Sequence, residues 1–226
     1  HLQELVEEKT LDLRKTLKVM LTSLGALAEY RDPETGAHIK RTQVLVQMLA
    51  ETLRDHPRFK DAIPNNEYID YYATAAPLHD IGKVGIPDEI LRKPARLDEE
   101  EWAVMSTHAQ KGYDVLVNAT RELKDHPLVK ICADIILNHH ERFDGGGYPN
   151  KLKGDDIPVG ARLMSVADVY DALVSKRPYK EAFPHEVAVK EILGGRGTQF
   201  DPDVVDAFMS LESKLPEIYD HFKENP

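Results

Sequence analysis

Cysteine is nearly missing from this chain: Cys132 is the only one among 226 residues. No disulfide can close within the chain, which fits a reducing compartment and sets the expectation of a cytoplasmic protein. The setting of Cys132, between Ile131 and Ala133, reads as an inward helical face, so it is expected to be a small core residue. Long apolar runs are missing as well; none approaches the ~20 residues that a membrane span needs. The first residues, His1-Leu2-Gln3-Glu4, are polar and acidic and carry no secretory pattern. They lack an initiator Met, which suggests a fragment of a longer protein. Positive charge is outweighed: 29 Lys and Arg face 39 Asp and Glu, for a net charge of -10. That excess argues against a long nucleic acid as partner, because polymer binding relies on many cationic contacts to phosphates. A small anion held by a few local cations and metals stays open.

Strand signals are scarce too. No stretch sustains an alternation of β-branched residues, and there is no internal repeat. Helical periodicity runs throughout, so the expected fold class is an all-α bundle. The first helix is expected from about Leu2 to Tyr30. Val6, Leu13, Met20 and Leu27 recur every seven residues, interleaved with Leu17 and Leu24. This is an a/d stripe broken by Gln3 and Thr10. Such a helix either packs on its own domain or brings a signal from an upstream regulatory domain and pairs with a second copy. The second is preferred, because its first turns offer few large apolar residues to a core yet keep the heptad.

A second helix is signalled by Asp32 as N-cap and Pro33 behind it, running to about Arg54. The polar stretch from His56 to Asn66 is a loop. A third helix is expected from Glu67 to Ile81. Asp98, with Glu101 three residues on, opens another, which carries Trp102, Met105, His108 and Leu116. Further helices are expected from about Leu128 to His140, Val159 to Ser175, Pro184 to Leu193 and Pro202 to Leu211.

Several polar groups interrupt these apolar faces. Glu34 and His38 are four apart and share a face. His79-Asp80 ends the third helix, His108 lies on the next, and His139-His140 closes another. Asp168 and Asp171 lie three apart on the helix from Val159. Helical bundles build metal sites in this manner, from inward side chains on facing helices. Imidazole and carboxylate donors without thiolate favour Fe, Mn or a similar ion over structural Zn. Asp80 could bridge two such ions, one per oxygen. Each piece alone has an ordinary explanation. His139-His140 could be cations at a helix C-terminus, and Glu34 a first-turn acid. His1, His56, His126, His185 and His221 lie in polar or Pro-flanked stretches and read as surface residues.

Two strings carry a resemblance to a known family. His79-Asp80-Ile81-Gly82-Lys83 resembles the HD signature. His139-His140-Glu141-Arg142-Phe143-Asp144-Gly145-Gly146-Gly147-Tyr148-Pro149 resembles the extended GYP signature. Ile86-Pro87-Asp88, Lys93-Pro94, Asp168-Val169-Tyr170-Asp171, Arg177-Pro178-Tyr179-Lys180 and Phe200-Asp201-Pro202 match later blocks. The chain is therefore similar to the HD-GYP family from about Leu24 to Leu211. The resemblance implies an HD-type helical bundle, assigned to 24–226, while the heptad stripe marks 1–23 as a coiled-coil-like linker helix.

It further implies a metal-dependent phosphodiesterase that opens cyclic di-GMP to linear pGpG, and on to GMP in some members. Two or three divalent ions, Fe or Mn, are implied. On this resemblance His38, His79, Asp80, His108, His139, His140 and Asp168 are metal ligands, and Glu34 is the acid that supports a third ion. Lys83 falls near the scissile phosphate and, with Asp80, is catalytic. Tyr148, Arg177 and Lys180 fall in the substrate pocket. Asp171 is a partner that orients a ligand or Lys83. The residues by themselves leave Lys83 and Arg177 open as ordinary solvated cations and Tyr148 as packing. A 3',3'-cyclic GMP-AMP phosphodiesterase is the alternative substrate reading. A silent nucleotide-sensing or protein-binding module is the alternative of another class, although such modules usually lose ligands and none is lost here.

Overall fold

A computed structural model of the chain describes residues 2–30, 37–176 and 181–224. Among these, eleven α-helices and five short 3-10 turns form the protein, and no strand is present. The all-α expectation holds. α1 (Leu2–Glu29) is one continuous helix across the expected boundary at 23/24. α2 (Ala37–Leu53) runs through the middle of the molecule, burying Ile39, Leu45, Val46, Leu49, Ala50 and Leu53. It packs on α3 (Asn66–Ala75), α8 (Val159–Val174) and α10 (Pro202–Leu211). α7 (Pro127–Asn138) completes the core with Ile131, Cys132, Ile135 and Ile136. Burying each large aliphatic side chain contributes about 1.5–3 kcal/mol, so this layer holds the scaffold on which the polar groups are mounted. No described helix is long and apolar enough to cross a membrane.

Several starts fall where capping chemistry puts them. The Asp98 side chain accepts from the Glu101 backbone while Glu101 reaches back to Asp98, a complete capping box. Asp201 caps α10 with Pro202 behind it. The expected cap at Asp32 and Pro33 lies outside the described residues.

Three expectations need correction. The third helix does not reach Ile81: regular helix stops at Ala75 and continues as 3-10 turns over Ala76–Leu78 and Ile81–Gly85. Pro77 is the cause, since it has no N–H to donate and its ring crowds the preceding turn. The expected helix from Asp98 is two helices, α5 (Glu99–Met105) and α6 (His108–Ala119). At the break the Ser106 and Thr107 hydroxyls donate to the carbonyls of Ala103 and Val104, competing with the helix ladder. α11 (Leu215–Glu224) was not expected; it closes on α2, where Leu215 and Tyr219 are buried. Among the histidines read as surface residues, His185 is half-buried, with Nδ1 2.7 Å from the Tyr170 hydroxyl. His1 lies outside the described residues.

Two close approaches fix the turn that carries His79 and Asp80. A Cβ on Gly25 of α1 would collide with the carbonyl of Pro77. A Cβ on Gly82 would collide with the backbone of His108, at the head of α6. Gly82→Ala is therefore expected to cost about 3 kcal/mol, at the upper end for overpacking, because backbone and not a rotatable side chain is in the way. In a chain of this size that is a fall of roughly 6–12 °C in Tm. Gly194→Ala, where a Cβ meets open space, should leave Tm within about a degree or raise it. Thermal melts of the two variants check this.

Candidate metal centre

Five imidazoles meet at one place. Ring centroids lie 5.5 Å apart for His38–His79, 5.2 Å for His79–His139, 5.6 Å for His108–His139, 5.0 Å for His108–His140 and 4.0 Å for His139–His140. They come from α2, the 3-10 turn after Pro77, the start of α6 and the end of α7. His38, His79, His108 and His139 are buried. Four of the rings are oriented by the nitrogen that faces away from the centre. Nδ1 lies 3.0 Å from the Ala76 carbonyl in His79, 2.8 Å from Met105 in His108 and 3.0 Å from Ile135 in His139. In His38 it lies 2.7 Å from Asp171. A carbonyl only accepts, so in His79, His108 and His139 Nδ1 carries the hydrogen and Nε2 is directed inward. All four Nε2 atoms are buried without a hydrogen-bond partner among the described residues. Buried nitrogens are rarely left so unless something else binds them.

Asp80 stands between them. Its Oδ1 is 3.2 Å from His108 Nε2 and 3.5 Å from His139 Nε2, while its Oδ2 is 3.3 Å from His79 Nε2 and 2.8 Å from Lys83 Nζ. The two oxygens thus face two different sets of donors. Asp168 Oδ1 lies 3.8 Å from His38 Nε2 and 4.0 Å from His79 Nε2. Donors about 2.1 Å from an ion on adjacent octahedral vertices lie about 3 Å apart, so these spacings suit ions held between the groups. Two groups have donor atoms within 4.8 Å of one another: Asp80, His108, His139 and His140, and Glu29, His38 and His79. The donors are nitrogen and oxygen only, while Cys132 sits in the apolar core. The residues fit divalent ions of hard to borderline character.

The structure therefore gathers His38, His79, Asp80, His108, His139, His140 and Asp168. Lys83 is beside Asp80. Tyr148 stacks on His140, with centroids 4.7 Å apart and planes at 23°. Asp171 lies behind His38 and also accepts from Arg41, at 2.6 and 3.0 Å. Glu34, Arg177 and Lys180 lie outside the described residues. Sequence reasoning missed Glu29, buried at the end of α1 with Oε1 3.6 Å from His38 Nε2. It also missed Arg41, and Glu141, which fastens the loop after His140 by accepting from Asn150 and Leu152 at 2.7 and 3.0 Å. Glu141 stands inside a quoted string; Glu29 and Arg41 have no local signal.

Electrostatics divides the imidazoles. Burial opposes the charged form of His38, but Asp171, Glu29 and Asp168 outweigh it and raise its pKa to about 9. Burial likewise opposes charge on His79, while Asp80, Asp168 and Glu29 raise it to about 10. For His139 burial prevails over Asp80 and the pKa falls; in His140 burial and the neighbouring rings push it well down. Burial opposes the ionised form of Asp171, yet His38 and Arg41 hold its pKa at about 2.

The chain is similar to known proteins over nearly its whole length. A family model described as HD domain matches residues 24–204. The chain belongs to the HD domain family, and its two signature strings place it with the HD-GYP members. It is 48% identical over 213 residues to a cyclic di-GMP phosphodiesterase of Vibrio cholerae, covering 94% of this chain and 43% of that protein. It is 38% identical over 213 residues to 3'3'-cGAMP-specific phosphodiesterase 2 of the same organism, covering 91% of this chain and 38% of that protein. It thus spans less than half the length of these curated relatives. The fold resembles the crystal structure of a cyclic GMP-AMP-specific phosphodiesterase of V. cholerae, with TM-score 0.60, 20% identity, and coverage of 92% of this chain and 50% of that one.

Two outcomes follow from this geometry. An ion needs neutral imidazoles, and His38 and His79 are protonated below about 9 and 10 in the metal-free chain. Adding Mn2+ near pH 7 should therefore release protons. Apparent affinity should fall about tenfold per pH unit for each proton displaced as pH drops. An indicator dye in weak buffer reads the release. Asp171→Asn should weaken metal retention about 10–100-fold by freeing the His38 ring. It should also cost about 3–5 kcal/mol by leaving Arg41 buried without its partner. Chelator competition and chemical denaturation measure the two effects.

Proposed function

We propose that this chain is a metal-dependent phosphodiesterase that opens cyclic di-GMP to linear pGpG. The observation that carries the reading is the buried ring of inward-facing Nε2 atoms around Asp80. Similarity to a curated cyclic di-GMP phosphodiesterase at 48% identity supports the substrate. Cyclic GMP-AMP is the second reading, supported by the relative at 38%.

His38, His79, Asp80, His108, His139, His140 and Asp168 would hold two ions of Fe or Mn. Asp80, whose two oxygens face different imidazoles, would be among the groups that hold them, with Glu29 beside His38. Glu34 is assigned to a third ion. Bound there, such ions supply Lewis acidity toward a phosphoryl oxygen and lower the pKa of water. The protein's own part is positional. Backbone carbonyls and Asp171 hold Nδ1 of His79, His108, His139 and His38, so the direction of each Nε2 is set before an ion or substrate arrives. Lys83, 2.8 Å from Asp80, offers its ammonium to the charge that builds on the phosphoryl oxygens as the ribose 3' oxygen leaves. Tyr148 walls the centre at His140. Arg177 and Lys180 are assigned to the second phosphate.

Residues 24–226 are assigned to the catalytic domain and 1–23 to an input helix, in a cytoplasmic protein with an upstream regulatory domain. Val6, Leu13, Met20 and Leu27 are all exposed along α1, which supports pairing with a second copy.

Asp80→Ala should abolish hydrolysis, a loss of at least about a thousandfold, because the carboxylate that stands between His79 on one side and His108 and His139 on the other is removed. Product analysis on cyclic di-GMP and cyclic GMP-AMP in defined Mn2+ or Fe2+ tests this. Normal turnover by Asp80→Ala would sink the assignment.

A further inference from the structure

α5 has no buried residue. It adds almost nothing to the apolar core, yet it is tied down at its start. Asp98 and Glu101 close the capping box, and the Glu101 carboxylate takes Lys93 Nζ at 2.5 and 2.6 Å. The residue that this arrangement positions is Trp102, the single tryptophan of the chain. Its side chain is 52% exposed. A lone exposed apolar residue is ordinary on a protein surface. Trp102 differs in what it touches. Its ring lies 5.9 Å from that of Tyr148 at 80°, and Tyr148 in turn stacks on His140 of the metal centre. Three aromatic rings therefore run in contact from the buried cluster to the surface, ending in an indole with much of its area open.

We propose that Trp102 is a stacking platform for a purine base of the bound nucleotide. The inference rests on the reading of the site as a cyclic-dinucleotide phosphodiesterase. With the scissile phosphate at the metal centre, a base attached through one ribose must leave the cluster along a neighbouring wall. The wall built by His140, Tyr148 and Trp102 presents π-faces and edges without a charged side chain among them. Stacking on an aromatic ring tolerates any purine, because every base has a π-face. Trp102 thus contributes affinity for the nucleotide without choosing guanine over adenine. It touches neither the reacting phosphorus nor the leaving oxygen, so it acts in binding.

The test is Trp102→Leu in the full chain, with circular dichroism and metal content measured beside the parent. KM for cyclic di-GMP should rise about 5- to 150-fold, the range for losing one base–aromatic stack, and the loss should fall on KM rather than kcat. Trp102→Phe, which keeps a ring, should recover most of it. With a single tryptophan, emission reports this site alone: guanosine monophosphate should change it, and ribose 5-phosphate at the same concentration should not. An unchanged KM in Trp102→Leu, or emission indifferent to guanosine monophosphate, overturns the platform while the hydrolytic reading stands. A parent chain that cleaves no cyclic dinucleotide overturns the hydrolytic reading, and the platform falls with it.

Discussion

Each ring of the cluster is governed by the nitrogen that points away from it. His79, His108 and His139 give Nδ1 to a carbonyl of the preceding turn, and His38 gives it to Asp171. These contacts give the opposite nitrogen an inward direction, and in the neutral ring that nitrogen carries the lone pair. Three of the anchors are backbone, so they come with the helix ends themselves. The fourth is an acid on another helix, held in turn by Arg41. Burying Asp171 and Arg41 would be costly apart; together they are paired and hydrogen-bonded, which makes the arrangement tolerable. The site thus depends on helix termini converging and on one charged pair behind His38.

The bundle serves that convergence. α2, α7 and α8 pack through aliphatic faces, and their polar groups sit where those faces end. The turn after Pro77 is irregular backbone, and there Gly82 permits contact with His108. Without that contact Asp80 could not stand within 3.2 Å of His108 Nε2. A second charged cluster, Arg58 and Arg162 around the buried Asp201, ties the loop before α3 to α8 and α10. Arg162 stands near the start of α8 and Asp171 near its end.

Much of this was legible in the sequence because the information was local. The capping box of Asp98 and Glu101 announces a helix within four residues. His79-Asp80 and the string from His139 to Pro149 announce donors at helix ends. What failed was also local competition: Pro77 against the helix ladder, and the Ser106 and Thr107 hydroxyls against theirs. What could not be seen were partners brought together from different helices. Arg41 meets Asp171 across a separation of 130 residues, and Glu29 reaches His38 from a different helix. Periodicity places Glu29 on α1 but says nothing of which bundle face that turn meets. The loop fastening by Glu141 was hidden by its position among residues already given other meanings.

Gly25 has a mechanical meaning. With no side chain between them, the backbone of α1 rests on the carbonyl of Pro77, two residues ahead of His79. Side chains at a helix crossing can change rotamer and absorb a small slide; bare backbone cannot. A shift or rotation of α1 at this point is carried to the turn that bears His79 and Asp80, and the same helix ends on Glu29 beside His38. The long amino-terminal helix and the metal-binding turn are one stiff linkage, whatever force is applied to its other end.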